Sequence, residues 1–212
     1  MTHNQYPCRD CPEPSHRTIR RTGVWRLPVG WARSALLVVV AWGCAGIAEA
    51  QSVTSIIDRE YTIKAAFLYH FSTYVEWPPN AFPASDQPFV IGVYQTNPFG
   101  SSLDQIAKTK KVTDRSIAIR KLTSVDGLQT CHILFVPASV SAAQQDAILG
   151  ATQGSLVLVV GETDDFIQRG GDAQFFVEGN KVRFAFSAEV AKRSDLKVSS
   201  KLLSLAKIIP RQ

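Results

Sequence analysis

The chain has 212 residues, of which 45% are hydrophobic, and its 23 basic against 18 acidic side chains give a formal net charge of +5. The length accommodates a domain with a full hydrophobic core, and no internal repeat or low-complexity tract interrupts it. The charge does not mark a nucleic-acid-binding surface, because the excess sits at the front of the sequence.

That front reads as an export signal. Arg17, Arg20, Arg21, Arg26 and Arg33 precede Ser34–Ala48, fifteen residues without a charge, and Ala48-Glu49-Ala50 offers the small residues a signal peptidase reads, so cleavage is expected after Ala50. An uncharged run of that length falls short of the roughly 20 apolar residues that span a bilayer, which makes a retained anchor the lesser reading. A lipoprotein signal at Cys44 is disfavoured by the bulky Trp42 two residues before it. Removal of residues 1–50 leaves 51–212 as a single α/β domain. Its 17 basic and 15 acidic residues are nearly balanced. Cys8, Cys11 and Cys44 leave with the signal, and Cys8, Cys11 and His16 lack a fourth ligand for zinc. Cys131 alone remains, so no internal disulfide is expected, and its place before the apolar run "HILFV" predicts a buried thiol.

The first element expected is a long helix over Ile56–Trp77, with Ile56, Ile63, Phe67, His70, Phe71 and Tyr74 as its apolar stripe, widened by Leu68 and Val75. Thr54 or Ser55 caps it, Asp58 and Glu60 suit its first turns, and Pro78-Pro79 stops it. The loop Pro78–Pro88 is stiffened by four prolines. "FVIGVYQ" (Phe89–Gln95) predicts a strand, Ser101 or Ser102 begins a short helix, and "SIAIRKL" (Ser116–Leu122) alternates like an edge or half-buried strand. "HILFVP" and "SLVLVVG" are continuous apolar runs, which predict strands covered on both faces. The helical segment Ser139–Leu149 between them, capped by Ser139 or Ser141, completes a parallel βαβ unit. Gly179-Asn180 within "AQFFVEGNKVRFAFS" marks a two-residue hairpin. Helices over Glu189–Arg193 and Ser199–Ile209 are expected to close the chain. The fold class is therefore α/β, a three-layer α/β/α arrangement whose mostly parallel sheet ends in an antiparallel hairpin.

Catalytic signatures are missing. The sequence has no G-x-S-x-G, H-E-x-x-H, G-x-x-x-x-G-K-[ST] or G-x-G-x-x-G, and the two histidines after residue 50, His70 and His132, lie inside apolar elements. No enzyme activity, cofactor or metal is expected. In "GETDDF", Glu162, Asp164 and Asp165 follow a buried strand where open α/β sheets bind ligands; the favoured reading is a turn capped by Thr163 or Asp164, with Phe166 in the core and Gly170-Gly171 ending it. Val182, Phe184 and Phe186 share one face of their strand, so Arg183 faces the other, partly buried, and is expected to form a structural ion pair with Glu189 or Glu76.

"IKAAFLYHFSTYVEWP", "VIGVYQTNPFG", "CHILFVP", "LVLVVGE", "RGGDAQFFVEGNKVRFAFS" and "KVSSKLLSLAKII" together, in order and spacing over about Glu60–Ile209, resemble the YfiR/HmsC-like family of exported bacterial proteins. The resemblance implies a periplasmic α/β protein, forming a homodimer, that represses an inner-membrane diguanylate cyclase through that enzyme's periplasmic sensor domain and so lowers cyclic-di-GMP signalling and biofilm formation. Redox control through paired cysteines does not carry over to a chain that keeps only Cys131. An apolar surface at the helix end and the C-terminal helix is the expected partner-binding site: Tyr69, Tyr74, Trp77, Leu196 and Leu202. Trp77 itself either plugs the edge of the domain or presents an aromatic anchor. The alternative function is a periplasmic small-ligand-binding protein without catalytic activity.

Overall fold

Residues 45–190 and 195–211, with side chains from residue 56 onward, are described by the computed structural model. Helix α1 (Ala45–Tyr74) runs through Thr54 and Ser55, where a cap was expected. Nothing in the sequence would stop it there: no proline lies between Ala45 and Pro78, and "AGIAEA" is rich in the best helix former. The buried stripe differs from the expected one. Ala65, Leu68, Phe71 and Val75 are in the core, whereas Ile56, Ile63, His70 and Tyr74 face solvent. A helix apolar on most of its circumference offers periodicity no single face to select, and the small Ala65 marks the side that approaches the sheet. The helix ends three residues before the expected Trp77, because β1 (Val75–Glu76) pairs antiparallel with β9 (Lys197–Val198).

An eight-stranded mixed sheet forms the centre of the fold. Five strands, β4 (Arg115–Leu122), β2 (Phe89–Tyr94), β5 (Ile133–Val136), β6 (Leu158–Gly161) and β7 (Ala173–Glu178), lie side by side and all run parallel. Numbered by their place in the chain, they stand in the order 2-1-3-4-5, a doubly wound arrangement whose switch point lies between β2 and β5. β3 (Lys111–Val112) adds antiparallel to β4 at one edge, and β8 (Lys181–Ser187) adds antiparallel to β7 near the other. Gly179 and Asn180 join β7 to β8 with φ of 56° and 62°, the left-handed pair that a two-residue hairpin requires.

Beyond the hairpin the sheet gains one more strand. In place of the expected helix over Ser199–Ile209, α4 (Ser200–Leu203) makes a single turn and β10 (Lys207–Ile209) then pairs parallel with β8. Ser199 caps that turn by accepting from Lys201 N, but the β-branched Ile208-Ile209 fits a strand better, and the outer edge of β8 would otherwise be left without backbone partners. Of the helix expected over Glu189–Arg193, residues 191–193 lie outside the described residues.

Helices cover both faces. On one, α1 and Leu103 of α2 (Ser102–Thr109) join a core of Phe89, Ile91, Val93, Ile133, Phe135, Leu158, Val160, Phe175, Phe184 and Phe186. On the other, Ile148 and Leu149 of α3 (Ala142–Thr152) join Tyr94, Leu134, Val136, Val159 and Phe166. Within each strand successive residues alternate between the two cores, as Ile133 and Phe135 on one side and Leu134 and Val136 on the other show, which is the pleat. Ser141 caps α3 by accepting from Gln144 N. Phe166 is fully buried against the backbone of Gly161 and Gly171, where an added Cβ would lie 2.4 and 2.2 Å from its ring. No described helix is long and apolar enough to cross a membrane.

Candidate functional site: two sealed sheet ends and an apolar groove

The loops after β2 and β6 meet α1, and the loop after β5 joins them through Glu162. Glu162, immediately after β6, receives Lys64 Nζ at 2.5 Å, Tyr61 Oη at 3.3 Å and the backbone N–H of Ala138, after β5, at 3.0 Å. Lys64 also pairs with Glu60 at 2.5 Å, one helical turn earlier. Phe99, after β2, meets the Tyr61 ring edge-to-face at 5.6 Å. The Lys64 and Glu162 side chains are only 6% and 5% exposed. Burial, then the Glu162 charge and its hydrogen bond, then Glu60, hold the Tyr61 phenol well above its usual range, so it stays a neutral donor. The crevice in which doubly wound sheets take a ligand is thus filled by α1 side chains. Glu162 does not assemble with its neighbours: Asp164 and Asp165 are exposed, Asp165 lies 3.9 Å from Arg169, and among the described residues no three His, Cys, Asp or Glu gather as they would around a metal. Phe166 is in the core as the sequence suggested, but Thr163 Oγ1 is directed to Gln145 Oε1 rather than capping the turn.

At the amino ends of the strands, the His132 ring stacks on Phe82 at 4.4 Å and on Phe89 at 4.7 Å, in a cluster where the two phenylalanines are 6.4 Å apart. Its Nδ1 accepts from Val90 N–H at 3.0 Å, so Nε2 carries the proton and donates to Ala81 O at 3.1 Å. Both nitrogens are committed to backbone, which leaves no lone pair for base catalysis. Burial lowers its pKa. The neighbouring Cys131 thiol is pushed up to about 11 by burial, which suppresses its nucleophilic form.

The five expected partner-binding residues are placed very differently. Trp77 is half-buried, its Nε1 donating to Leu156 O at 2.9 Å and its ring edge-on to Phe89 at 4.9 Å, so it closes the domain's edge. Tyr69 is half-buried against the core, with its hydroxyl 3.5 Å from Lys111 O. Leu196 and Leu202 are 0% and 3% exposed and belong to the core, because Leu202 follows the Ser199 cap inward rather than standing on a long amphipathic helix. Tyr74 alone is exposed, at 38%.

Tyr74 borders an apolar groove of about 210 Å³, lined by Phe67, His70, Phe184, Lys201, Leu202 and Leu205. Leu205 is 74% exposed beside it, and Ile208 on the edge strand 44%. The sequence reading missed both by placing them on a helix. The signal that reveals them is Ser199 capping one short turn before a β-branched pair.

The expected ion pair is also replaced. Arg183 is 54% exposed and pairs with Glu178 across the hairpin at 2.9 Å, while Glu189 lies 3.7 Å from Arg211 Nε. Arg183 stands too near the solvent end of β8 to need a buried partner.

No curated protein matches the chain. Residues 61–207 match the YfiR/HmsC-like family model, a span running from the Tyr61 contact on Glu162 through both sealed ends and the groove to the first residue of β10. The chain belongs to the YfiR/HmsC-like family.

Proposed function

We propose that the protein is an exported regulator that binds the periplasmic sensor domain of an inner-membrane diguanylate cyclase and represses it, lowering cyclic-di-GMP and with it biofilm formation. Membership of the YfiR/HmsC-like family over residues 61–207 carries this reading. The site chemistry supports a binding role. The crevice open to ligands in related sheet orders is occupied by Tyr61 and Lys64, and His132 and Cys131 are held in unreactive states. The contact surface assigned here is the groove of Tyr74, Leu202 and Leu205, where exposed apolar side chains surround a preformed hollow.

Deletion of the gene is expected to raise cyclic-di-GMP and biofilm mass, with recovery on complementation; unchanged cyclic-di-GMP would overturn the reading. Export with cleavage after Ala50 predicts a secreted form beginning at Gln51, which N-terminal sequencing reads. The homodimer predicts twice the chain mass by light scattering. The exposed Ile56, Ile57, Ile63 and Val177 supply apolar surface for it.

A further inference from the structure

The groove beside Tyr74 does not end at Leu205. A second hollow of about 280 Å³ continues it along β8, and the two share Phe67, Phe184 and Leu205. The rings of Phe67 and Phe184 lie 5.0 Å apart and Phe184 is 4% exposed, so the shared floor is aromatic and already packed. The charges around it are of one sign. Lys201 lines the end nearest Tyr74, and Lys181 and Arg183 line the end nearest the hairpin. Arg183 is matched by Glu178 at 2.9 Å. Lys181 and Lys201 are exposed and, among the described residues, pair with no carboxylate, and no described carboxylate lines either hollow.

We propose that this continuous groove takes an acidic amphipathic segment of its partner, with apolar side chains seated on Phe67, Phe184 and Leu205 and a carboxylate flanking them at each end to meet Lys181 and Lys201. The inference rests on the reading that the groove docks the cyclase's sensor domain, and it adds the chemistry of the segment that docks. An apolar floor alone accepts many chains. Two unmatched cations at opposite ends make it selective, since a basic segment meets like charge there and an acidic one gains a pair at each end. A second copy of this chain is a poor occupant. Two-fold packing of the groove on itself would bring Lys181 and Lys201 of one protomer against the same cations of its partner. An anionic bilayer matches the charge but not the shape, because a flat lipid surface leaves the concave floor between Phe67 of α1 and Phe184 of β8 unfilled.

The test is the affinity of the purified protein for the full-length, detergent-solubilised cyclase whose activity rises in the deletion strain. Three variants are compared with wild type: Leu205→Ser, Lys181→Glu/Lys201→Glu, and Lys108→Glu/Lys110→Glu, a control of equal charge change at exposed positions at the end of α2. The expected result is an affinity about tenfold lower in Lys181→Glu/Lys201→Glu and lower also in Leu205→Ser, with the control binding as wild type. Raising salt from about 50 to about 300 mM should weaken the wild type several-fold and the Lys181→Glu/Lys201→Glu variant little. If Lys181→Glu, which sets like charges opposite each other at the Glu178 register position, prevents folding, Lys181→Gln/Lys201→Gln replaces it with an expected loss of about threefold. Weak binding by Leu205→Ser together with wild-type binding by the lysine variant would overturn the inference and leave the docking groove standing. Wild-type binding by both would overturn the docking reading and the inference with it. Equal loss in the control would reduce the effect to general charge. Co-sedimentation of the wild type, but not of the lysine variant, with vesicles of phosphatidylglycerol and phosphatidylethanolamine would give the cations to a bilayer, and either of these last results overturns the proposal.

Discussion

At the carboxyl ends of β5 and β6 a buried ion pair holds α1 in place, whereas at the amino ends of the same strands a histidine clustered with two phenylalanines meets residues 77–88. The first seal draws its strength from charge in a low-dielectric site, and its Tyr61 and Ala138 donors satisfy the lone pairs that Lys64 leaves. The second has no ion pair and draws on two backbone hydrogen bonds of the imidazole and its aromatic neighbours. One accordingly depends on charge pairing, and the other on ring packing and backbone hydrogen bonds.

Lys64→Met breaks the comparison most severely. It leaves the Glu162 carboxyl group without its cation in a site where that side chain is 5% exposed, and removing one partner of a buried pair costs about 3–5 kcal/mol. Denaturant unfolding of the variant should show that loss, and Lys64→Met combined with Glu162→Leu should recover most of it; a single variant of wild-type stability would show that the latch carries no structural weight. Trp77→Ala is expected to cost about 2 kcal/mol, below the range for fully buried tryptophans because Trp77 is half-buried, and to loosen the amino end without disturbing α1. Tyr61→Phe is milder, about 1 kcal/mol, since a hydrogen bond of 3.3 Å is lost while the ring keeps its contact with Phe99. Cross-comparison of the three by thermal unfolding at pH 7 orders the two seals.

How much of this was legible in the sequence depended on whether a pattern was local. The strands "HILFVP" and "SLVLVVG", the Ser141 cap and the Gly179-Asn180 turn were readable because continuous burial, a capping hydroxyl and a left-handed pair each leave a short signature. The rotation of α1 was not, because Ile56, Ile63 and Tyr74 satisfy a helical repeat as well as Ala65, Leu68 and Phe71 do, and only the sheet decides between the two rows. β10 was hidden for a related reason: "KLLSLAKII" has helical composition throughout, and the unpaired edge of β8 that recruits its last residues is a long-range fact. The two seals were invisible for the same cause. Lys64 and Glu162 are 98 residues apart, and Val90 and His132 are 42 apart. Nothing in the spacing of "TIKAAF" or "CHILFV" announces that a lysine and a histidine will be buried with their partners.

The smallest expected effect on the fold is the most telling for function. Leu205 is 74% exposed at the mouth of the groove, outside both seals, so Leu205→Ser removes apolar surface that water already reaches. Its unfolding free energy should stay within about 0.5 kcal/mol of wild type, as surface substitutions do. If the groove docks the cyclase's sensor domain, the same change places a hydroxyl in an apolar contact and should raise cyclic-di-GMP toward the level of the deletion strain. Trp77→Ala reverses the pattern, with a clear loss of stability and repression weakened only in proportion to the folded protein remaining. Normal repression by Leu205→Ser together with loss of repression by a stably folded Trp77→Ala would move the docking surface from the α1–α4 groove to the amino-end seal, and Trp77 would then be an anchor rather than a plug.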